Sequence, residues 1–188
     1  MLTPTLQPTL WRTCRVLAND THLRLFAQLV RKQPQSVSEL AAQCSLALPV
    51  ASQSLRALEA RGLLRVNRIR RRVEYRIPTR SEAGSLADLT GALLAALRRE
   101  PLPTRAIMKV ATAFTHPSRI QIHCILQSGP KTEMQLQAAI RLSSPALWRH
   151  LRKLKVRGFV RHNDTQRAYQ SCNHPDRIGR ALSKLAAT

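Results

Sequence analysis

Along residues 19–78 the spacing of apolar positions changes period. Leu23, Phe26, Ala27 and Val30 recur at the 3.6-residue spacing of a helix that buries one face, with Thr21 as its expected cap. Ser38 opens a second short helix, SELAAQC, with Leu40 and Ala41 facing inward, and a brief turn from Ser45 to Pro49 leads into VASQSLRALEARG. There Ala51, Leu55 and Leu58 form one apolar stripe, and Gly62 is expected to stop the helix because it tolerates positive φ. The period then drops to two. Leu63, Leu64 and Val66 begin a strand and Val73, Tyr75 and Ile77 alternate on its return, which predicts a hairpin. Two short helices joined by a tight turn, the second amphipathic and followed by a hairpin, form a helix-turn-helix with a wing.

The same pattern occurs again further along. LEARGLLRV at 58–66 matches LKVRGFVRH at 154–162 at a constant offset of 96, which also pairs Leu40 with Leu136, Leu46 with Leu142, Pro49 with Pro145 and Leu55 with Leu151. Upstream the offset becomes 97, so that NDTHLRLF at 19–26 lies on HPSRIQIH at 116–123. Between the copies, SEAGSLADLTGALLAALRR places Leu86, Leu89, Leu93 and Leu97 on one helical face, and residues 99–105 form a proline-bearing linker. After the second copy, HPDRIGRALSKLAA offers Ile178, Leu182 and Leu185 at similar spacing. Both stripes are candidates for pairing modules or chains, or for capping their own module. The expected fold is mainly α with small β-hairpin wings, built from tandem winged helix-turn-helix domains. Residues 1–80 make the first, 81–105 a connecting helix and linker, and 106–188 a divergent second.

Charge gives this architecture a partner. The 188 residues carry 31 lysines and arginines against 10 acids, a formal charge of +21, and the excess occurs in both halves. Such a chain repels itself unless a polyanion is at hand, and double-stranded DNA is the leading candidate. Aromatic residues make up only 4%, which leaves few platforms for stacking single-stranded bases. The hairpin explains the arginine run: Arg68, Arg70, Arg71 and Arg72 crowd its tip and outer edge, where they can straddle phosphates.

Other chemistry is poorly represented. The cysteines Cys14, Cys44, Cys124 and Cys172 form no C-x-x-C pair, and CNHPD, with Cys172, His174 and Asp176, lacks a visible second ligand group, so no metal and no cofactor are expected. Five of six histidines fall in the second copy, where surface or groove-side positions are expected. No glycine-rich phosphate loop, G-x-S-x-G or H-E-x-x-H occurs, so no enzyme is expected. No apolar stretch approaches the roughly 20 residues that span a bilayer, and the first residues lack the pattern of a signal peptide, so a cytoplasmic protein without a membrane partner is expected.

The stretches LANDTHLRLFAQL, SVSELAAQCSLALPVASQSLRALEARGLLRV and RRRVEYRI resemble the ArsR family of bacterial winged-helix repressors, well over residues 14–78 and more loosely over 111–170. The family usually carries one copy and dimerises; tandem use departs from that. The resemblance implies a DNA-binding transcription factor, a repressor before an activator, whose second motif helix enters the major groove and whose wing reaches the flanking backbone. It places Val50, Ser52, Gln53 and Arg56 toward the groove in the first copy. In the second, Ala146, Trp148, Arg149 and Arg152 take those places beside His150 and Lys153. Trp148 is bulky for its position and either reads DNA differently, wedges against a partner or turns into the core. The family's cysteine pair is absent, since ELAAQC holds Cys44 alone.

The leading expectation is sequence-specific double-stranded DNA binding. In it the first module reads DNA, while the second contributes phosphate contacts and the pairing surface, with Trp148, Arg149, Arg152 and Lys153 as its DNA-binding candidates. The chain forms either a homodimer or an intramolecular pseudo-dimer. The rivals are a protein-interaction module and a nonspecific nucleoid-type protein on the same fold.

Overall fold

The fold is a computed structural model describing residues 9–69, 72–99 and 103–187. Helix α1 (Leu10–Leu17) leads into α2 (Asp20–Arg31), the two-residue strand β1 (Gln35–Ser36), α3 (Val37–Gln43) and α4 (Leu48–Glu59). Strands β2 (Arg65–Ile69) and β3 (Arg72–Arg76) form the hairpin, followed by the single turn α5 (Arg80–Ala83) and by α6 (Ala87–Leu97). The order then recurs as α7 (Thr104–Ala111), α8 (Pro117–Gln127), β4 (Lys131–Thr132), α9 (Glu133–Ile140), α10 (Ser144–Val156), β5 (Val160–Asn163), β6 (Ala168–Ser171) and α11 (Arg177–Ala186). Each copy thus has a three-stranded antiparallel sheet, ordered β1-β3-β2 and β4-β6-β5.

Helix starts correct two expected caps. Asn19, not Thr21, caps α2, its side chain accepting from the backbone N–H of His22 at 3.2 Å. Ser36, not Ser38, caps α3, in a reciprocal box in which its hydroxyl accepts from Glu39 N–H while the Glu39 carboxylate accepts from Ser36 N–H at 2.7 Å. Thr132 and Gln135 repeat that box at the start of α9. Two donors that a helix start leaves without partners are satisfied at once, which fixes where the chain turns inward. The turn between the motif helices is also duplicated: Ser45 and Arg141, 96 residues apart, both adopt left-handed backbone at φ 53° and 56°. Gly62 and Gly158 end the second helices at φ 71° and 81°, the positive φ expected of Gly62.

Two helices were not expected, α1 and its counterpart α7, and they decide the arrangement. One continuous core runs through both modules, taking in Leu17, Leu23, Phe26, Leu55 and Leu58 from the first and Phe114, Ile122, Leu151, Leu154 and Phe159 from the second. Helix α1 packs on α7, and α6 packs on α11. Counterpart elements therefore meet each other, as they do across a two-fold interface between identical subunits. Of the apolar positions expected to pair modules or to cap their own, Leu86, Leu89, Leu93 and Leu97 on the connecting segment and Ile178 and Leu182 after the second copy are buried, while Leu185 is only half-buried. Each fully buried leucine stabilises the fold by about 1.5–3 kcal/mol, so the seam belongs to the core of the chain. Lys184 Nζ on α11 closes it from outside at 2.6 Å from the Asp88 carboxylate of α6.

Candidate nucleic-acid interface

In the first module α4 turns Ala51, Ser54, Leu55 and Leu58 into the core, which leaves the opposite face to solvent. Val50, 46% exposed, Gln53 and Arg56 are on that face, with Ser52 half-buried at its edge. Among the described residues no other element covers them, and Pro49 in the first turn fixes the helix direction without removing a needed donor. Arg68 on β2 is exposed and has no carboxylate partner among the described residues. Arg72 begins β3 but is engaged: its guanidinium is 2.8 Å from Glu74 and 3.5 Å from Glu39. The hydrogen bonds from Ser36 hold the Glu39 carboxyl below its usual range, with Arg72 and Lys32 adding to that, so this link between wing and α3 stays ionic. Arg70 and Arg71 lie outside the described residues.

In the second module α10 buries Leu147, Leu151 and Leu154. Trp148, one of whose expected fates was the core, is 51% exposed, and Arg152 is stacked near its ring at 5.3 Å from the centroid. Arg149 is exposed and Lys153 half-buried, its ammonium held below the usual lysine range by burial and by Arg157 and Arg119. Val156, 58% exposed, and Arg157 complete the face, residues that sequence reasoning had missed. The signal was present: Trp148, Arg152 and Val156 are four apart, as are Arg149, Lys153 and Arg157, so two adjacent rows run up one helix face. Between the rows is an open cleft of about 310 Å³.

The wings have diverged as well. The second hairpin is shorter at its tip, with Arg161 and Arg167 exposed and the acid Asp164 projecting into solvent at 2.6 Å from His162 Nδ1. Tyr75 and Tyr169 hold equivalent sheet positions, opposite Gln35 and Lys131, the first buried and the second half-buried. Chemically, each module presents one exposed helix face carrying hydrogen-bonding or apolar groups that fit base edges, beside cations that fit phosphates.

The histidines correct a further expectation. His123 and His174 are in the core rather than on the surface or beside a groove. His123 takes the place of Phe26 and packs edge-on against Phe114 at 5.1 Å and Phe159 at 5.9 Å. Burial lowers its pKa to about 4. The Gln127 amide is 3.0 Å from Nε2, while Nδ1 has no partner among the described residues. Both ring nitrogens of His174 serve the fold: Nε2–H donates to Arg157 carbonyl oxygen at 3.0 Å and Nδ1 accepts from Asp176 N–H at 3.1 Å. Among the described residues no three His, Cys, Asp or Glu side chains are grouped to hold a metal, and no helix is long and apolar enough to cross a membrane.

Comparison with known proteins distinguishes the modules. Residues 17–67 match a helix-turn-helix domain family, and residues 116–162 match the family described as bacterial regulatory protein, arsR family. The arsR match thus falls on the second module, where the sequence resemblance was the looser of the two. No curated protein matches the chain.

Proposed function

The chain is an ArsR-like helix-turn-helix regulator of tandem modules, a DNA-binding class of protein, and from that premise we propose that one chain binds double-stranded DNA sequence-specifically, each module addressing its own half-site. The observation that carries this reading is the packing of counterpart helices, α1 on α7 and α6 on α11. In a two-fold repressor that packing sets two recognition helices at a fixed separation, and half-sites about one helical turn apart mirror it. Residues 1–80 and 106–188 serve as the binding units, with 81–105 between them.

In the first unit Gln53 pairs with an adenine edge, Arg56 with guanine or phosphate, Ser52 and Val50 complete the base contacts, and Arg68, Arg70, Arg71 and Arg72 follow the backbone. In the second, Arg149 and Arg152 take the polar contacts and Trp148 lies against thymine methyls, with Lys153 on phosphate. Both units supply the pairing surface, whereas the sequence had given that role to the second alone. The direction is repression, because a chain with both modules on DNA excludes polymerase by occupancy and needs no further surface. The setting is cytoplasmic, and no catalytic step belongs to this reading.

A second reading has its own observation. Trp148 and Val156, both more than half exposed, flank the cleft on α10, and aromatic anchors of that kind also suit protein interfaces. Competition separates the two. A DNA-reading chain titrated at several salt concentrations prefers a selected duplex over random duplex by about 1000-fold or more, whereas charge-driven binding gives no such preference. A preference near unity would remove the sequence-specific reading and leave the interaction module.

A further inference from the structure

The seam between modules has an outer face that DNA reading does not use. Between α6 and α11 is an open cleft of about 310 Å³, and its lining shares no residue with either recognition helix or wing. Four cations surround it, Arg80, Arg177, Arg180 and Lys184, against a single carboxylate, Asp88. Asp88 is already engaged by Lys184 at 2.6 Å and Arg80 at 3.0 Å. Arg180 is held in place from behind, donating through Nη1 to the carbonyls of His174 at 3.1 Å and Pro175 at 2.6 Å. Arg177 has no carboxylate partner among the described residues. The cleft therefore has an unbalanced positive charge, part of it on a guanidinium whose position is fixed.

Gly91 supplies an independent observation. It lies within α6, lines the cleft and is exposed. A glycine inside a helix weakens it relative to alanine, and the usual structural reason is close approach of another element. That reason is missing: a Cβ built at Gly91 meets nothing within 4 Å. The position is open, at no benefit to packing, where it enlarges a cationic cleft.

We propose that this cleft binds a small phosphate-bearing anion, and that such a ligand, by bridging α6 and α11, adjusts the module spacing on which DNA binding depends. The second half rests on the DNA-binding reading; the first does not. Guanidinium groups and an ammonium around an open floor match the several oxygens of a phosphate or diphosphate, and the cleft is at the small end of known ligand sites.

Calorimetric titration of inorganic pyrophosphate into the full chain, without DNA and with ionic strength held constant by sodium chloride, tests the site. One saturable site is expected, weakened at least about tenfold in Gly91→Glu, which puts a carboxylate into the cleft, and in Arg177→Ala, which removes a charge-assisted contact, and unchanged in Gly91→Ala. Equal affinity in Gly91→Glu and wild type, or a string of equivalent weak sites, would show general attraction to a +21 chain and overturn the proposal. So would loss of DNA affinity in Gly91→Glu with no anion present, which would assign the cleft to the DNA backbone. With the selected duplex added, pyrophosphate is expected to shift the midpoint of DNA binding in wild type and not in Gly91→Glu. A shift of equal size in both overturns the coupling alone. A chain that binds pyrophosphate at the cleft and no duplex overturns the DNA reading and leaves the site standing.

Discussion

The two modules share a backbone plan and place their cations differently. In the first, the recognition helix α4 has one arginine, Arg56, while the segment 65–76 has six. In the second, α10 carries Arg149, Arg152, Lys153 and Lys155, while the segment 160–171 retains Arg161 and Arg167 beside Asp164. One module is charged on its wing and the other on its helix. A repressor assembled from identical chains has to present the same surface twice, and its operator inherits that symmetry. A tandem chain is free of the constraint. Its halves can pack as a pair through α1, α6, α7 and α11 while their outer faces evolve toward different sequences.

The comparison breaks most severely if the charges on α10 are removed. Arg149→Ala with Arg152→Ala is expected to weaken DNA binding about 100-fold and to flatten the dependence on salt by about two units of slope. The matched pair in the first module, Arg56→Ala with Arg68→Ala, costs less, because further wing arginines remain. Fluorescence anisotropy at several salt concentrations reads both. Equal losses would show that the modules are interchangeable.

The next effect is on stability and belongs to the core. His123, with a pKa of about 4, stays neutral in the folded protein, while the same side chain in the unfolded chain titrates near 6.5. Between those values the unfolded state binds the proton, so stability is complete above about pH 6.5 and falls as pH drops toward 4, by about 2 kcal/mol between pH 7.5 and pH 5. Urea melts at the two pH values measure it. His123→Phe, which copies Phe26 of the first module, is expected to remove most of that loss, and an unchanged loss would place the acid sensitivity elsewhere.

Smaller effects sharpen specificity. Gln53→Ala is expected to cost about tenfold in discrimination at one base of the first half-site and nothing at the second, and Trp148→Ala does the reverse. Arg72→Ala is the weakest, about twofold in affinity, since Glu74 and Glu39 already neutralise that guanidinium and an exposed ion pair contributes little. Parallel measurements on duplexes mutated one base at a time resolve the first pair, and anisotropy resolves the last.

Much of this arrangement is written in periodicity. The switch from 3.6 to two placed α2, α3, α4 and the hairpin, and the offset of 96–97 placed their counterparts. Helix α1 escaped because Leu10, Thr13, Cys14 and Leu17, which recur at helical spacing, include a threonine and a cysteine that an apolar count passes over; Thr13 and Cys14 are buried. Strands β1 and β4 have two residues each, too few for any period to register. The cap at Ser36 was readable, since Glu39 follows it by three residues, and Ser38 drew attention only by standing next to the apolar run. The cleft on α10 needed the two rows of four-residue spacing to be read together. Pairing of α6 with α11 was left open because an apolar stripe records that a helix needs a partner and not which partner it takes.

Selection of bound duplexes from a random library, run in parallel on wild type, Gln53→Ala and Trp148→Ala, tests the central claim most directly. Two unequal readers on one chain predict a motif of two dissimilar half-sites about one helical turn apart, with each variant losing information in a different half. Two identical half-sites, or variants that blur both halves together, would contradict it.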